Sequence, residues 1–210
     1  MAPRRTASAP PPHLWALVAV MAVLTALAGC RTAPVRLPPA AQGWTARRAE
    51  LQQRARYEVR GRVAVAAGDE GFNARVRWVQ EGTQTQLSLQ GPLGAGGVQV
   101  TADGNDLTIV DSRGQRVSAQ DAREQLVQRL GFDPPLSSLR YWMLGVPDPG
   151  QPVGQEVLGE DGQRLSQLEQ GGWHIDYPAY MPVGSEALPA RVTLQRQDVR
   201  VRLLVDSWGG

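Results

Sequence analysis

Residues 57–65 read YEVRGRVAV and residues 72–80 read FNARVRWVQ. In the first stretch Tyr57, Val59, Val63 and Val65 alternate with Glu58, Arg60 and Arg62. In the second, Phe72, Ala74, Val76 and Trp78 alternate with Asn73, Arg75 and Arg77. A β-strand turns successive side chains to opposite faces, so period two with arginine on one side predicts half-buried antiparallel strands. Ala67-Gly68-Asp69, between the two stretches, supplies a hairpin turn.

The pattern extends in both directions. Leu87 and Leu89 continue it, then Val98 and Val100, then Leu107 and Ile109. Glu81-Gly82, Asp103-Gly104-Asn105 and Ser112-Arg113-Gly114 punctuate these runs as turns. Strands are expected again at 155–158, 164–170, 173–177, 188–194 and 199–207, the last two pairing across Gln197-Asp198. About ten strands with one apolar face must curl to bury it. The expected fold is mainly β (α+β), a single curved antiparallel sheet or barrel with an apolar interior.

The period changes in the middle. Ser118 stands three residues before Asp121 as a capping box, and Ala122, Leu126, Val127 and Leu130 then recur at helical spacing up to Gly131. Pro134-Pro135 leads into a second short helix with Leu136, Leu139, Trp142 and Met143, ended by Gly145 and Pro147. Helices inserted between two runs of strands would pack on, or plug, the curved sheet. Before the first strand, Trp44 to about Ala55 reads as a helix. Trp44, Leu51 and Ala55 share one face, along which Arg48 can lay its stem.

The chain begins with an export signal. Arg4 and Arg5 precede an apolar run from Leu14 to Leu27, no acidic residue comes before Cys30, and Ala28-Gly29 are small residues at the cleavage point. The run is too short for a stable transmembrane helix. Cys30 is the only cysteine of the 210 residues. A lone thiol there looks like the acyl acceptor of a bacterial lipoprotein, carrying S-diacylglycerol and an N-acyl chain. The domain reading is residues 1–29 as signal peptide, 30–43 as a lipidated Pro-rich tether and 44–210 as the folded body.

Without Arg4 and Arg5 the chain has 20 Arg against 20 Asp plus Glu, and it has no Lys. That balance offers no net field to steer the protein to nucleic acid or anionic lipid. Enzymatic constellations are missing as well. After the signal peptide the sole histidine is His174, on the strand face opposite Trp173, Ile175 and Tyr177. With no second His and no Cys pair, no zinc site is expected. The serines lack a nucleophile elbow, and Gly91–Gly97 lacks the Lys-Ser/Thr ending of a P-loop. Asp103, Asp106 and Asp111 punctuate a hairpin rather than form a metal site. The protein is expected to be no enzyme and to use no cofactor beyond its acyl chains.

One connection stands out. Gly91-Pro92-Leu93-Gly94 places a large apolar side chain between residues that cannot bury it locally. Leu93 either folds back on the core or projects as an apolar finger into lipid or a partner's groove.

Taken in order, several short motifs resemble the LolB family of outer-membrane lipoproteins. They are Gly61-Arg62, Trp78-Val79-Gln80, Gly91-Pro92-Leu93-Gly94, Asp111-Ser112-Arg113-Gly114-Gln115-Arg116, Pro135-Leu136-Ser137-Ser138-Leu139-Arg140-Tyr141-Trp142 with Leu144-Gly145, Gly172-Trp173 before Tyr177, and Trp208. The resemblance runs from about Trp44 to Trp208 and includes the lipobox. It implies an unclosed β-barrel with a helical lid or plug over an apolar cavity, similar to the periplasmic carrier LolA. It also implies a function: accepting triacylated lipoproteins from a LolA-like carrier and inserting them in the outer membrane without ATP. Leu93 would serve delivery to the bilayer. Arg31 follows the cysteine, where an aspartate retains lipoproteins in the inner membrane of enteric-type bacteria. An outer-membrane anchor facing the periplasm is therefore implied.

On that reading the inward residues Val63, Val65, Trp78, Leu87, Leu89, Ile109, Trp142, Met143 and Leu203 line the acyl-chain cavity. The partners are the carrier, lipoprotein acyl chains and outer-membrane lipid. The protein would act as a monomer, without nucleic acid. The alternatives are a carrier of another lipid or lipopolysaccharide, or a structural outer-membrane lipoprotein with a filled core.

Overall fold

Alternation becomes pairing in a computed structural model that describes residues 37–38, 43–91, 97–103, 106–111, 114–117 and 119–209. Eleven strands are β1 (Arg56–Ala67), β2 (Glu70–Glu81), β3 (Gln84–Gln90), β4 (Gly97–Asp103), β5 (Asp106–Asp111), β6 (Arg116–Val117), β7 (Val153–Leu158), β8 (Leu165–Gln170), β9 (Trp173–Val183), β10 (Glu186–Arg196) and β11 (Val199–Gly209). The helices among the described residues are α1 (Trp44–Gln52), α2 (Ala119–Leu130) and α3 (Leu136–Trp142). All the strands belong to one sheet in the order β6-β5-β4-β3-β2-β1-β11-β10-β9-β8-β7, and every pairing is antiparallel.

Edge strands β6 and β7 do not pair with each other, so the sheet is unclosed. Their connection takes the chain from one edge to the other, and it is the stretch that carries α2 and α3. α3 contributes Trp142 to the main core, while α2 packs Ala122 and Leu126 onto Val100, Ala102, Leu107 and Ile109. A crossover with helices is what an open curled sheet needs to cover its apolar face. Gly131 ends α2. Its N–H bonds the Val127 carbonyl at 2.8 Å, its φ is +77°, and a Cβ there would stand 2.8 Å from that of Ala67.

The inward face of β1 and β2 is Tyr57, Val59, Gly61, Val65, Ala74, Val76 and Trp78, all buried, with Val63 half-buried. Register slips by one residue at Arg60/Gly61 against β11. At this bulge a Cβ on Gly61 would collide with the Leu204 carbonyl.

Three sequence expectations change. Strict alternation over the strand expected at 188–194 would put Leu188, Ala190, Val192 and Leu194 inward, but β10 bulges around Pro189, so Pro189 is buried and Ala190 is only half-buried. α1 stops at Gln52, leaving Ala55 outside it. Its buried residues are Arg47 and Leu51, four apart, whereas Arg48 lies on the flank and pairs with Glu156 at 2.6 Å. Arg47 donates to the Ala187 carbonyl. Burial lowers its guanidinium pKa, an effect larger than the opposing influence of Tyr180 and Glu186.

Candidate functional site: an apolar cavity under the crossover

Between the concave face and the crossover lies a cavity of about 110 Å³ with no charged residue among the described residues of its wall. β1, β2 and β3 contribute Val63, Val65, Phe72, Val76, Trp78, Leu87 and Leu89. β9, β10 and β11 contribute Trp173, Val192, Leu194, Val201 and Leu203. The crossover closes it with Leu126, Leu130, Phe132, Pro134, Pro135, Leu136, Leu139, Trp142 and Met143. The same strand parity that builds the core therefore builds the wall, and only apolar ligand atoms gain by entering.

Of the residues expected at the cavity, Val63, Val65, Trp78, Leu87, Leu89, Trp142, Met143 and Leu203 are in the wall. Ile109 is not. It is fully buried in the second cluster, because α2 sits directly on β5 and covers its inward side chains. Gly91 is half-buried just past β3. Cys30, Pro92, Leu93 and Gly94 lie outside the described residues. Sequence reasoning missed Phe72, Val76, Val192, Leu194 and Val201 as lining, although their parity marked them as inward. Helical spacing marked Leu126, Leu130, Leu136 and Leu139 as apolar, but nothing local said that the crossover would bring them, with Phe132, Pro134 and Pro135, to the cavity.

The two helices of the crossover are held differently. α3 is tied by buried polar bonds. Gln170 Oε1 accepts from Trp142 Nε1 and from the Asp148 N–H, each at 2.8 Å, while its Nε2 donates to the carbonyls of Asp148 (2.9 Å) and Gln151 (3.0 Å). Ser138 donates to Asp148 Oδ2 at 2.7 Å, and Gln151 Nε2 donates to Ser138 at 2.8 Å. Tyr57 and Tyr177 donate to the carbonyls of Arg140 (2.6 Å) and Trp142 (2.9 Å). Burial pushes both phenols far above their usual pKa, so they remain donors. Among the described side chains of α2, the one ion pair is Arg123–Asp133 at 3.1 Å, with both groups exposed. Apolar contacts hold the rest of α2.

Trp173 forms the wall at the far side. Phe132 meets its ring edge-on at 5.7 Å, and the Arg196 guanidinium stacks 4.8 Å from it. Its indole N–H is buried without a hydrogen-bond partner among the described residues. His174, the next residue, turns to the opposite face between Asp176 (3.2 Å) and Glu169 (3.6 Å). Among the described residues no group of three His, Cys, Asp or Glu is placed to hold a metal ion.

The family model for outer membrane lipoprotein LolB matches residues 55–208. The outer-membrane lipoprotein LolB of Nitrosococcus oceani is 37% identical over 193 residues, covering 90% of this chain and 94% of that protein. That of Halorhodospira halophila is 35% identical over 161 residues, 77% of each chain. Among solved structures, a LolA superfamily protein from Nitrosomonas europaea superposes with a TM-score of 0.52 at 11% identity, covering 80% of this chain and 93% of that one. That last likeness is one of fold.

Proposed function

The chain belongs to the LolB family of outer-membrane lipoproteins, and from that membership we propose that it takes acylated lipoproteins from a LolA-like periplasmic carrier and passes them to the outer membrane. The observation that carries the reading is the cavity, whose wall is built wholly from apolar and aromatic side chains. Each methylene moved from water into such a wall is worth about 0.8 kcal/mol, and three acyl chains hold on the order of forty methylenes. Release into water would cost tens of kcal/mol. Passage from one apolar wall to another avoids that cost and needs no ATP, provided affinity rises from carrier to receptor to bilayer.

The closed volume of about 110 Å³ is below the ~300–1,000 Å³ of pockets that enclose small-molecule ligands. Uptake therefore requires the crossover to lift. α2 is the segment to move, since exposed Arg123–Asp133 is its described ion pair while α3 is tied through Gln170. Cys30 bears the acyl anchor, residues 30–43 form the tether, and Leu93 enters the bilayer at delivery. No catalytic role is assigned to any residue.

The test is transfer of a labelled triacylated lipoprotein from its carrier to the protein lacking residues 1–30, with vesicles added afterwards. Stoichiometric uptake without ATP supports the reading, and Cys30→Ala should retain it. Leu93→Glu should accept cargo but deliver it poorly. The small closed volume also favours a second reading, a structural lipoprotein with a filled core. Folded protein that takes up neither cargo nor an acyl-chain probe would select that one.

A further inference from the structure

We propose that the outer face of β2, β1 and β11 is a docking groove for anionic phospholipid headgroups, centred on Arg62 and Arg75. The inference rests on the outer-membrane location, not on cargo transfer.

Formal neutrality conceals a segregation of charge. Arg60 and Arg62 of β1, Arg75 and Arg77 of β2, and Arg200 and Arg202 of β11 are all exposed on the outer face. Two carboxylates in their midst are already shared. Glu58 takes Arg60 at 2.6 Å and Arg77 at 2.8 Å, and Asp206 takes Arg62 at 2.9 Å. Arg75 and Arg202 have no ion pair among the described residues.

The register sets like charges against each other, Arg60 opposite Arg77 and Arg62 opposite Arg75. Directly opposed like charges destabilise a sheet. A face that had only to be solvated could use glutamine or threonine at these positions. An anion between the rows would convert the repulsion into binding.

The shape agrees. Arg60, Arg62, Arg75 and Arg77 wall an open groove of about 1120 Å³, and Ser88 and Gln90 add neutral polar groups. Guanidinium forks match phosphate oxygens bidentately. Arg75 faces Gln90, the last residue of β3, so the groove reaches the rim from which the 91–97 connection leaves. A lipid is favoured over an acidic protein because the tether of residues 31–43 spans at most about 45 Å. The body is therefore held beside a bilayer.

Leu37–Gly210 forms one compact unit that holds every described strand and helix and both core clusters, so this span carries its own hydrophobic core. Its partition onto phosphatidylcholine vesicles with and without phosphatidylglycerol tests the proposal. Binding should require phosphatidylglycerol and weaken with salt. Arg62→Gln with Arg75→Gln should lower the partition constant about 30-fold, at roughly fivefold per arginine. The double variant should melt close to the parent, since relief of the opposition offsets loss of the exposed Arg62–Asp206 pair. Arg48→Gln with Arg123→Gln, the same loss of charge on α1 and α2, should bind like the parent. Equal binding to both vesicle types, or full binding by the groove variant, overturns the proposal. So does a groove variant that loses uptake from an acidic carrier in lipid-free solution while keeping vesicle binding, which would assign the groove to a protein. Vesicle partition is read without cargo, so its failure and a failure of lipoprotein transfer are separate results.

Discussion

Gln170→Met removes an amide from the core at nearly constant volume, which isolates its hydrogen bonds from packing. Gln170 is 2% exposed, and Trp142, which donates to it, is 1% exposed. A thioether replaces none of the four bonds well. The Trp142 indole N–H and the Asp148 N–H become buried orphans, whereas the Asp148 carbonyl keeps the Gln151 N–H at 3.3 Å and the Gln151 carbonyl is only partly buried and can take water. At about 1–3 kcal/mol for each of the two orphans, less some relaxation, the loss comes to about 2–4 kcal/mol. That is a large share of the ~5–15 kcal/mol of a typical domain. With a slope of about 2 kcal/mol per molar, the urea midpoint should fall by about 1–2 M. Unfolding followed by tryptophan fluorescence measures it. Trp142→Phe should cost less in the Gln170→Met background than alone, because its partner is already gone. A midpoint shift below about 0.5 M, with the two substitutions additive, would refute the claim that this amide holds α3 on the sheet.

Gly61→Ala should destabilise by about 2 kcal/mol or more, because the Leu204 carbonyl occupies the place of the new methyl; thermal melting reads it. Val63→Phe should fill the cavity and abolish binding of an acyl-chain fluorophore while the protein stays folded, Val63 being a half-buried wall residue. The Glu58 carboxyl, hydrogen-bonded first by Arg77 and then by Arg60, should titrate at about 2 in a carboxyl-resolved NMR experiment. Its folded pKa lies below the ordinary ~4.3, so its contribution to stability is complete above that value and is lost as pH falls toward 2. Glu58→Gln should flatten the pH dependence of stability in that window. A titration near the ordinary value would mean that these contacts do not persist in solution.

The strands were legible because their apolar positions alternate. Tyr57, Val59, Val63 and Val65 announce a face, and Phe72 to Trp78 announce the same face on the neighbouring strand. The helices were legible from the change of period after Asp121, and Gly131 from its place as stop. Three-dimensional adjacency was not. Ile109 has the parity of a lining residue, yet α2 covers it, and nothing local to β5 says where a helix from the crossover lands. Arg47 looks like a solvated arginine until β10 is seen to bring the Ala187 carbonyl against it. A signal for Gln170 existed and was overlooked. It shares the buried face of β8 with Leu168, and a buried amide at core parity implies partners that only the loop after α3 supplies. Gln80, on the inward face of β2, carries the same message. It accepts from Trp78 at 3.1 Å and Thr85 at 2.7 Å. Charge counting failed for a related reason, since a sum over residues cannot register which side of a sheet each one occupies.

The strand order has a consequence for how the molecule comes into being. The first strand, β1, lies beside the last, β11, at the middle of the sheet, with Val59 opposite Trp208 and Val65 opposite Val201. β1 to β6 can zip as successive hairpins, and so can β7 to β11, but the seam that joins the two halves links residues at opposite ends of the domain. Such a contact carries the largest loop-closure cost and forms late. A chain threaded through a membrane pore from its N-terminus delivers β11 last. Until then β1 has an unsatisfied edge and the concave wall has no second half. The topology itself thus keeps an emerging chain open until its final strand arrives, and completion of the greasy interior coincides with completion of export.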